Sequence, residues 1–199
     1  MLIGVTGLAQ HGKDTIGNRL VKAHGFRRLG FANVLKELAL RVNPIIPRHT
    51  TGTLVRLDQF VGEVGWEEAK KHGEVRRFLQ ELGTGVRDYV GDDVWIDALE
   101  RRWLDGGDVD VVITDVRFQN EANWIRRNNG YLIRVVRREN GKAFDNGVDA
   151  DHPSEKQVPF LPADLIVTND ADIIDLNLKV DKVIAALRGT VPRLGDSAD

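Results

Sequence analysis

The sequence predicts an α/β fold, a three-layer α/β/α arrangement around a mostly parallel five-stranded sheet. Three observations predict it. Strand-like and helix-like apolar patterns alternate along most of the 199 residues. The first apolar run, Leu2-Ile3-Gly4-Val5, opens into a glycine-bounded loop and then an amphipathic segment with Ile16, Leu20 and Ala23 on one side. A later run, Val109–Thr114, is rich in β-branched residues, as a buried central strand should be.

The elements follow in order. Residues 2–6 read as a strand and 13–23 as a helix, with a short strand within 26–31. Val34, Leu35, Leu38 and Leu40 place a helix over 33–42, which Asn43-Pro44 ends. Residues 44–64 hold two prolines and little periodicity, so they read as a loop or insertion. Trp66–His72 reads as a short helical turn. Val75, Phe78, Leu79 and Leu82 give a helix over 74–82, which Gly83-Thr84-Gly85 should break or kink. Trp95, Ala98, Leu99 and Trp103 mark a helix near 94–104. After the 109–114 strand come a helix over 118–129, a strand over 131–136 and a polar, loop-like stretch over 138–160. A last strand over 165–168 and a last helix over 173–187 complete the pattern, and the residues beyond read as a frayed tail.

The loop between the first strand and helix is Gly7-Leu8-Ala9-Gln10-His11-Gly12-Lys13-Asp14-Thr15. In that context G-x-x-x-x-G-K is a phosphate-binding loop, and the fold is that of a P-loop NTPase. The glycines let the backbone N–H groups turn inward, Lys13 adds a positive charge, and the helix start presents its positive dipole end. Gly7, Gln10, His11, Gly12, Lys13, Asp14 and Thr15 are the expected polyphosphate contacts. Position 14 departs from the strict pattern, with the hydroxyl one residue later at Thr15. Asp14 has two readings: it holds a water of a bound magnesium, or it turns away and caps the helix.

Asp115 falls just past the end of the 109–114 strand, where ligands sit in open α/β sheets. Beside a P-loop, an acid there is the expected partner of Thr15 at a magnesium ion. The alternative is a cap on the helix that starts near Phe118. Arg117 points toward the same crevice. Arg76, Gln80, Gly83 and Arg87 share a stripe that borders an apolar helix face. Along an unbroken helix Arg76 and Arg87 stand about 16 Å apart, too far to hold one phosphate together, so either the Gly-Thr-Gly break folds Arg87 back or only one arginine serves an acceptor. Arg134, Arg137 and Arg138 lie at a strand end opening into a polar stretch, which suits a lid over transferring phosphates. Asp151-His152-Pro153-Ser154-Glu155 reads as a lid or acceptor-binding segment, since a lone His makes a poor zinc site.

Charge and composition exclude several classes. With 42% hydrophobic and 29% charged residues and a net charge of −2, nothing points to nucleic acid. There is no cysteine, hence no disulfide framework or thiolate metal site. No apolar run is long enough for a membrane helix. A cytoplasmic protein is expected. The oligomeric state is open, a homodimer being one option.

In this order, Gly-Lys-Asp-Thr at 12–15, Arg-Phe-Leu-Gln-Glu-Leu-Gly-Thr at 77–84, Arg87, Trp95, Asp-Val-Arg-Phe-Gln-Asn-Glu-Ala at 115–122, His-Pro-Ser-Glu at 152–155 and Asn169-Asp170 span almost the whole chain. The set resembles the P-loop deoxynucleoside monophosphate kinases of tailed phages. The resemblance implies transfer of the γ-phosphate of ATP to a deoxynucleoside 5′-monophosphate, with Mg2+, in the host cytoplasm if the chain is phage-encoded. It implies that Lys13 and the loop amides cradle the donor, and that Thr15 and Asp115 organise magnesium directly or through water. Arg117 and Arg137 would neutralise transition-state charge with Lys13, and Asn169 would touch the adenine. Arg76, Gln80 and Arg87 would take the acceptor, Arg87 being the favoured arginine. Trp95 would be either a base-stacking platform or plain core. One kinase domain over 1–188 is expected, with an acceptor-binding insert at about 44–104, a lid-like segment at about 138–160 and a flexible tail over 189–199. The rival readings are a dephospho-coenzyme-A or gluconate-type kinase and a non-catalytic nucleotide-binding protein of the same fold.

Overall fold

The computed structural model describes residues 1–48, 52–139, 142–144 and 156–190. The chain divides into two compact units, Met1–Leu29 with Asp108–Asp199, and Gly30–Gly107. The elements run β1 (Leu2–Thr6), α1 (Lys13–His24), β2 (Arg27–Leu29), α2 (Phe31–Val42), β3 (Ile45–Pro47), β4 (Leu54–Arg56), α3 (Leu57–Ala69), α4 (Gly73–Val90) and α5 (Val94–Leu104). They continue with β5 (Val111–Ile113), α6 (Gln119–Arg127), β6 (Tyr131–Glu139), β7 (Lys142–Ala143), a 3-10 turn (Val158–Phe160), β8 (Leu165–Asn169) and α7 (Ile173–Thr190).

In the first unit five parallel strands lie in the order β2-β5-β1-β6-β8, and β7 turns back antiparallel on the end of β6. The central strand β1 is buried along its whole length, which is why its run carries no polar alternation. Ile3, Val5, Val112, Ile133 and Val135 meet Ile16 and Leu20 of α1 and Leu176, Val180 and Ile184 of α7 in one core. The other face takes α6, whose Ile125 packs onto Gly4 so closely that a Cβ there would lie 2.3 Å from its Cδ1. These are the three layers the alternation predicts. The parallel register brings the carboxyl ends of β1, β5, β6 and β8 to one edge, with Thr6 paired to Arg134 and Arg137 to Asn169.

The second unit holds α2 to α5 and a two-stranded hairpin around Ala39, Ile46, Val55, Leu57, Ala69 and Val75. Here the structure corrects two expectations. The described residues of 44–64 do not form an irregular insertion: β3 and β4 pair with Ile46 opposite Val55, and α3 follows, interrupted at Gly65 (φ 76°). Only one side chain per three-residue strand turns inward, so no period could register. Second, α4 runs unbroken through Gly83-Thr84-Gly85. Tertiary contacts offset the poor helix propensity of glycine there. Gly83 lies against Leu35, its carbonyl oxygen accepts the Trp95 indole N–H at 3.1 Å, and Thr84 Oγ1 donates back to Gln80 O at 2.8 Å.

Candidate active site

The phosphate loop joins the buried end of β1 to the first turn of α1. Gly7 and Gly12 carry φ values of 150° and 109°, which L side chains rarely adopt. Each also lies against a neighbour. A Cβ on Gly7 would lie 2.6 Å from Val135 O, and one on Gly12 would lie 2.9 Å from Asn169 Nδ2. Gln10 also takes a positive φ of 63°. The ammonium of Lys13 donates to Gly7 O at 2.6 Å and Leu8 O at 2.7 Å, so it folds over the loop that precedes it.

His11 is 4% exposed, and its Nδ1 accepts the Arg137 N–H at 3.3 Å, which leaves the ring proton of the neutral imidazole on Nε2. Burial lowers its pKa. Backbone hydrogen bonding at Phe144 and Val135 opposes that, and the charges of Lys13 and Arg137 reinforce it. The Arg137 guanidinium lies 4.2 Å from the centre of the Phe144 ring and donates to Glu139 at 2.7 Å. Asn169 Nδ2 donates to His11 O at 3.1 Å. Beside these residues a cavity of about 530 Å³ is lined by Thr15, Arg137, Arg138, Asn169, Asp170 and Ile173. It opens at the carboxyl ends of β6 and β8, the place an α/β sheet offers a ligand.

Asp115 is half-buried one residue past Thr114, which is itself 6% exposed. The N-terminal end of α6 is closed by the buried carboxylate of Glu121, which accepts the N–H groups of Arg117 at 2.8 Å and Phe118 at 3.1 Å. Asp14 does not cap α1, whose N-cap is Gly12 without a side-chain bond; it pairs with Arg28. Thr15 and Asp115 thus offer a hydroxyl and a carboxylate, hard oxygen donors of the kind magnesium takes beside phosphates. Arg117, two residues after Asp115, is half-buried.

In the second unit Arg76 is exposed near the start of α4, while Gln80 and Arg87 are half-buried further along it. Arg87 donates to Asp92 O at 2.9 Å. Because α4 is straight, the two arginines keep their separation of about 16 Å. Trp95 is 5% exposed with its N–H on Gly83 O, the environment of a core residue. The 151–155 segment, with Asp151 and His152, lies outside the described residues, as does much of the expected 138–160 lid.

The family model for deoxynucleotide monophosphate kinase matches residues 65–180, more than half of the chain. The chain belongs to the deoxynucleotide monophosphate kinase family. A protein of Acanthamoeba polyphaga mimivirus, provisionally named as such a kinase, is 29% identical over 187 residues, 87% of this chain and 90% of its own. The deoxynucleotide monophosphate kinase of Escherichia phage RB69 is 31% identical over 55% of this chain and 44% of its own. The deoxynucleoside-5′-monophosphate kinase of Escherichia phage T5 is 36% identical over 53% and 43%. The aligned region therefore spans less than half of either phage protein. Among solved structures, dephospho-CoA kinase from Campylobacter jejuni aligns over 96% of this chain and 98% of its own, at 17% identity and a TM-score of 0.45.

Two residues beside this site, Glu121 and Arg28, have no role of their own in the sequence analysis. Glu121 had a signal, an acid three residues after the N-cap position of a helix. Arg28 had none, because its partner Thr114 is 86 positions away. Among the described residues no helix is long and apolar enough to cross a membrane.

Proposed function

We propose that the chain transfers the γ-phosphate of ATP to a deoxynucleoside 5′-monophosphate, giving ADP and the diphosphate. The observation that carries the reading is the glycine loop, with Lys13 folded over it, at the same sheet edge as the Asn169-lined cavity, in a chain of this family. The loop amides and Lys13 hold the donor phosphates, and the cavity takes the nucleoside of ATP beside Asn169. Thr15 and Asp115 would hold magnesium, which neutralises charge on the phosphates when bound. The acceptor's phosphate oxygen is already anionic, so it attacks the γ-phosphorus without a general base, and the bond to the ADP oxygen breaks. Arg117 and Arg137 stabilise the charge on the equatorial oxygens. Arg87, with Gln80 and Arg76, holds the acceptor phosphate. Trp95 supports α4 from beneath.

The test is ADP formation by the purified protein with ATP, magnesium and each deoxy- and ribonucleoside monophosphate in turn. A deoxynucleoside monophosphate should give ADP well above the ATP-only background. Stimulation by dephospho-coenzyme A or gluconate and by no nucleotide would assign the chain another acceptor.

A further inference from the structure

Arg28 carries no role in the proposed function, yet its guanidinium makes four hydrogen bonds beside the phosphate loop. It sits on β2 opposite Val112 of β5, so its side chain shares a sheet face with Val112 and Thr114. That face is the one α1 covers, and it does so at close range: a Cβ on Gly17 would lie 2.4 Å from Thr114 Cγ2 and 3.6 Å from Arg28 Cζ. From this joint the guanidinium reaches in two directions. Its Nε and one terminal nitrogen donate to Thr114 Oγ1 at 3.1 and 2.6 Å. The terminal nitrogens also meet Asn18 Oδ1 at 3.2 Å and the carboxylate of Asp14.

Asp14 directly precedes Thr15, and Thr114 directly precedes Asp115. One rigid fork therefore grips the residue before each of the two oxygen donors. We infer that Arg28 is a positioning residue that fixes the gap between Thr15 and Asp115, and with it the fit of the magnesium–ATP complex. The inference rests on the magnesium reading of those two residues. It also accounts for Asp14 at a position where the P-loop pattern has a hydroxyl: the carboxylate is one anchor of the fork. A lysine would keep the charge but could not bridge Thr114, Asn18 and Asp14 at once, because it is a point charge without a planar fork.

The experiment is calorimetric titration of ATP into the full chain with and without magnesium, alongside activity against magnesium concentration. It uses Arg28→Ala, Arg28→Lys, Thr114→Val and Asp115→Asn. Loss of a group that orients metal ligands weakens metal-linked binding by about tenfold or more. Arg28→Ala and Arg28→Lys should therefore lower the magnesium-dependent gain in ATP affinity by about tenfold and raise the half-saturating magnesium to match. Thr114→Val, which removes one anchor and keeps the side-chain volume, should show a smaller shift of the same sign and stands in if the Arg28 variants do not fold. Magnesium-free ATP affinity and acceptor KM should stay near wild type.

Equal losses with and without magnesium would overturn the inference and put Arg28 on the phosphates or the fold at large. If Asp115→Asn abolishes the magnesium gain but Arg28→Ala, Arg28→Lys and Thr114→Val leave it intact, the positioning role fails alone. If Asp115→Asn also leaves it intact, the magnesium reading fails and the inference with it.

Discussion

The side-chain amide of Asn169 donates to the main-chain oxygen of His11 over 3.1 Å, tying the end of the last strand to the middle of the phosphate loop. The same nitrogen lies 2.9 Å from where a Cβ on Gly12 would be, too close for one. The cavity wall and the loop are thus one joint, so a change at Asn169 should be felt by the donor nucleotide.

Asn169→Ala is expected to raise the KM for ATP by about tenfold, the scale of one lost polar contact. The acceptor KM should not move. Steady-state kinetics with each substrate varied in turn check this, and a change confined to the acceptor would place the donor elsewhere.

Asp115 and Glu121 should separate cleanly. Asp115→Asn should raise the magnesium requirement with little change in melting temperature. Glu121→Ala should destabilise the fold by about 2 kcal/mol, because two backbone N–H groups lose their buried acceptor. Its magnesium dependence should stay as in the wild type. Thermal melts and magnesium titrations of both variants decide it.

Arg87 is held in place by its bond to Asp92 O, while Arg76 is exposed near the other end of the same helix. A pre-oriented guanidinium binds phosphate with less loss of side-chain freedom. Arg87→Ala should raise the acceptor KM by about tenfold or more, as charge-assisted contacts are among the stronger polar ones. Arg76→Ala should have the smaller effect, and ATP binding should change little in either. If neither variant alters acceptor KM or turnover, the monophosphate binds away from α4.

The phosphate loop was legible because its residues are contiguous and flanked by the right periodicities. So were the parallel strands, since β1 and β5 read as apolar runs without alternation. Other features depend on distant partners. The hairpin of β3 and β4 shows one buried residue per strand, too few for a period. Gly83-Thr84-Gly85 reads as a break because Leu35 and Trp95, which meet Gly83, cannot be placed from the local sequence. Of the two readings open for Asp14, neither named Arg28, and at the start of α6 it is Glu121 that accepts the N–H groups of Arg117 and Phe118. Trp95 shows the same limit in reverse: its helical neighbours Ile96 and Leu99 are buried with it, so the core alternative describes its surroundings.

Stability should carry a specific acid signature. Asp181 on α7 accepts from Arg19 of α1 at 2.9 and 2.6 Å and meets His24 at 2.8 Å. The Arg19 hydrogen bonds above all hold its carboxyl down from 3.8 to about 2. A depressed carboxylate stabilises the fold above its unfolded pKa and loses that contribution as pH falls through its folded pKa. Asp181→Asn should therefore be less stable than wild type at neutral pH. The difference should shrink between about pH 4 and pH 2, as followed by urea unfolding at several pH values. A constant difference across that range would mean the pair does not couple α1 to α7 through charge.

The most direct test of phosphoryl transfer at this loop is a single-turnover assay with γ-labelled ATP, magnesium and the best deoxynucleoside monophosphate, run on the wild type and on Lys13→Ala. The wild type should move the label to the monophosphate, one ADP per diphosphate formed. The folded Lys13→Ala chain should do so at least about a hundredfold more slowly, since an electrostatic group of this kind contributes several kcal/mol to the transition state. Near wild-type transfer by a folded Lys13→Ala protein, or label released to water with no diphosphate formed, would contradict the account.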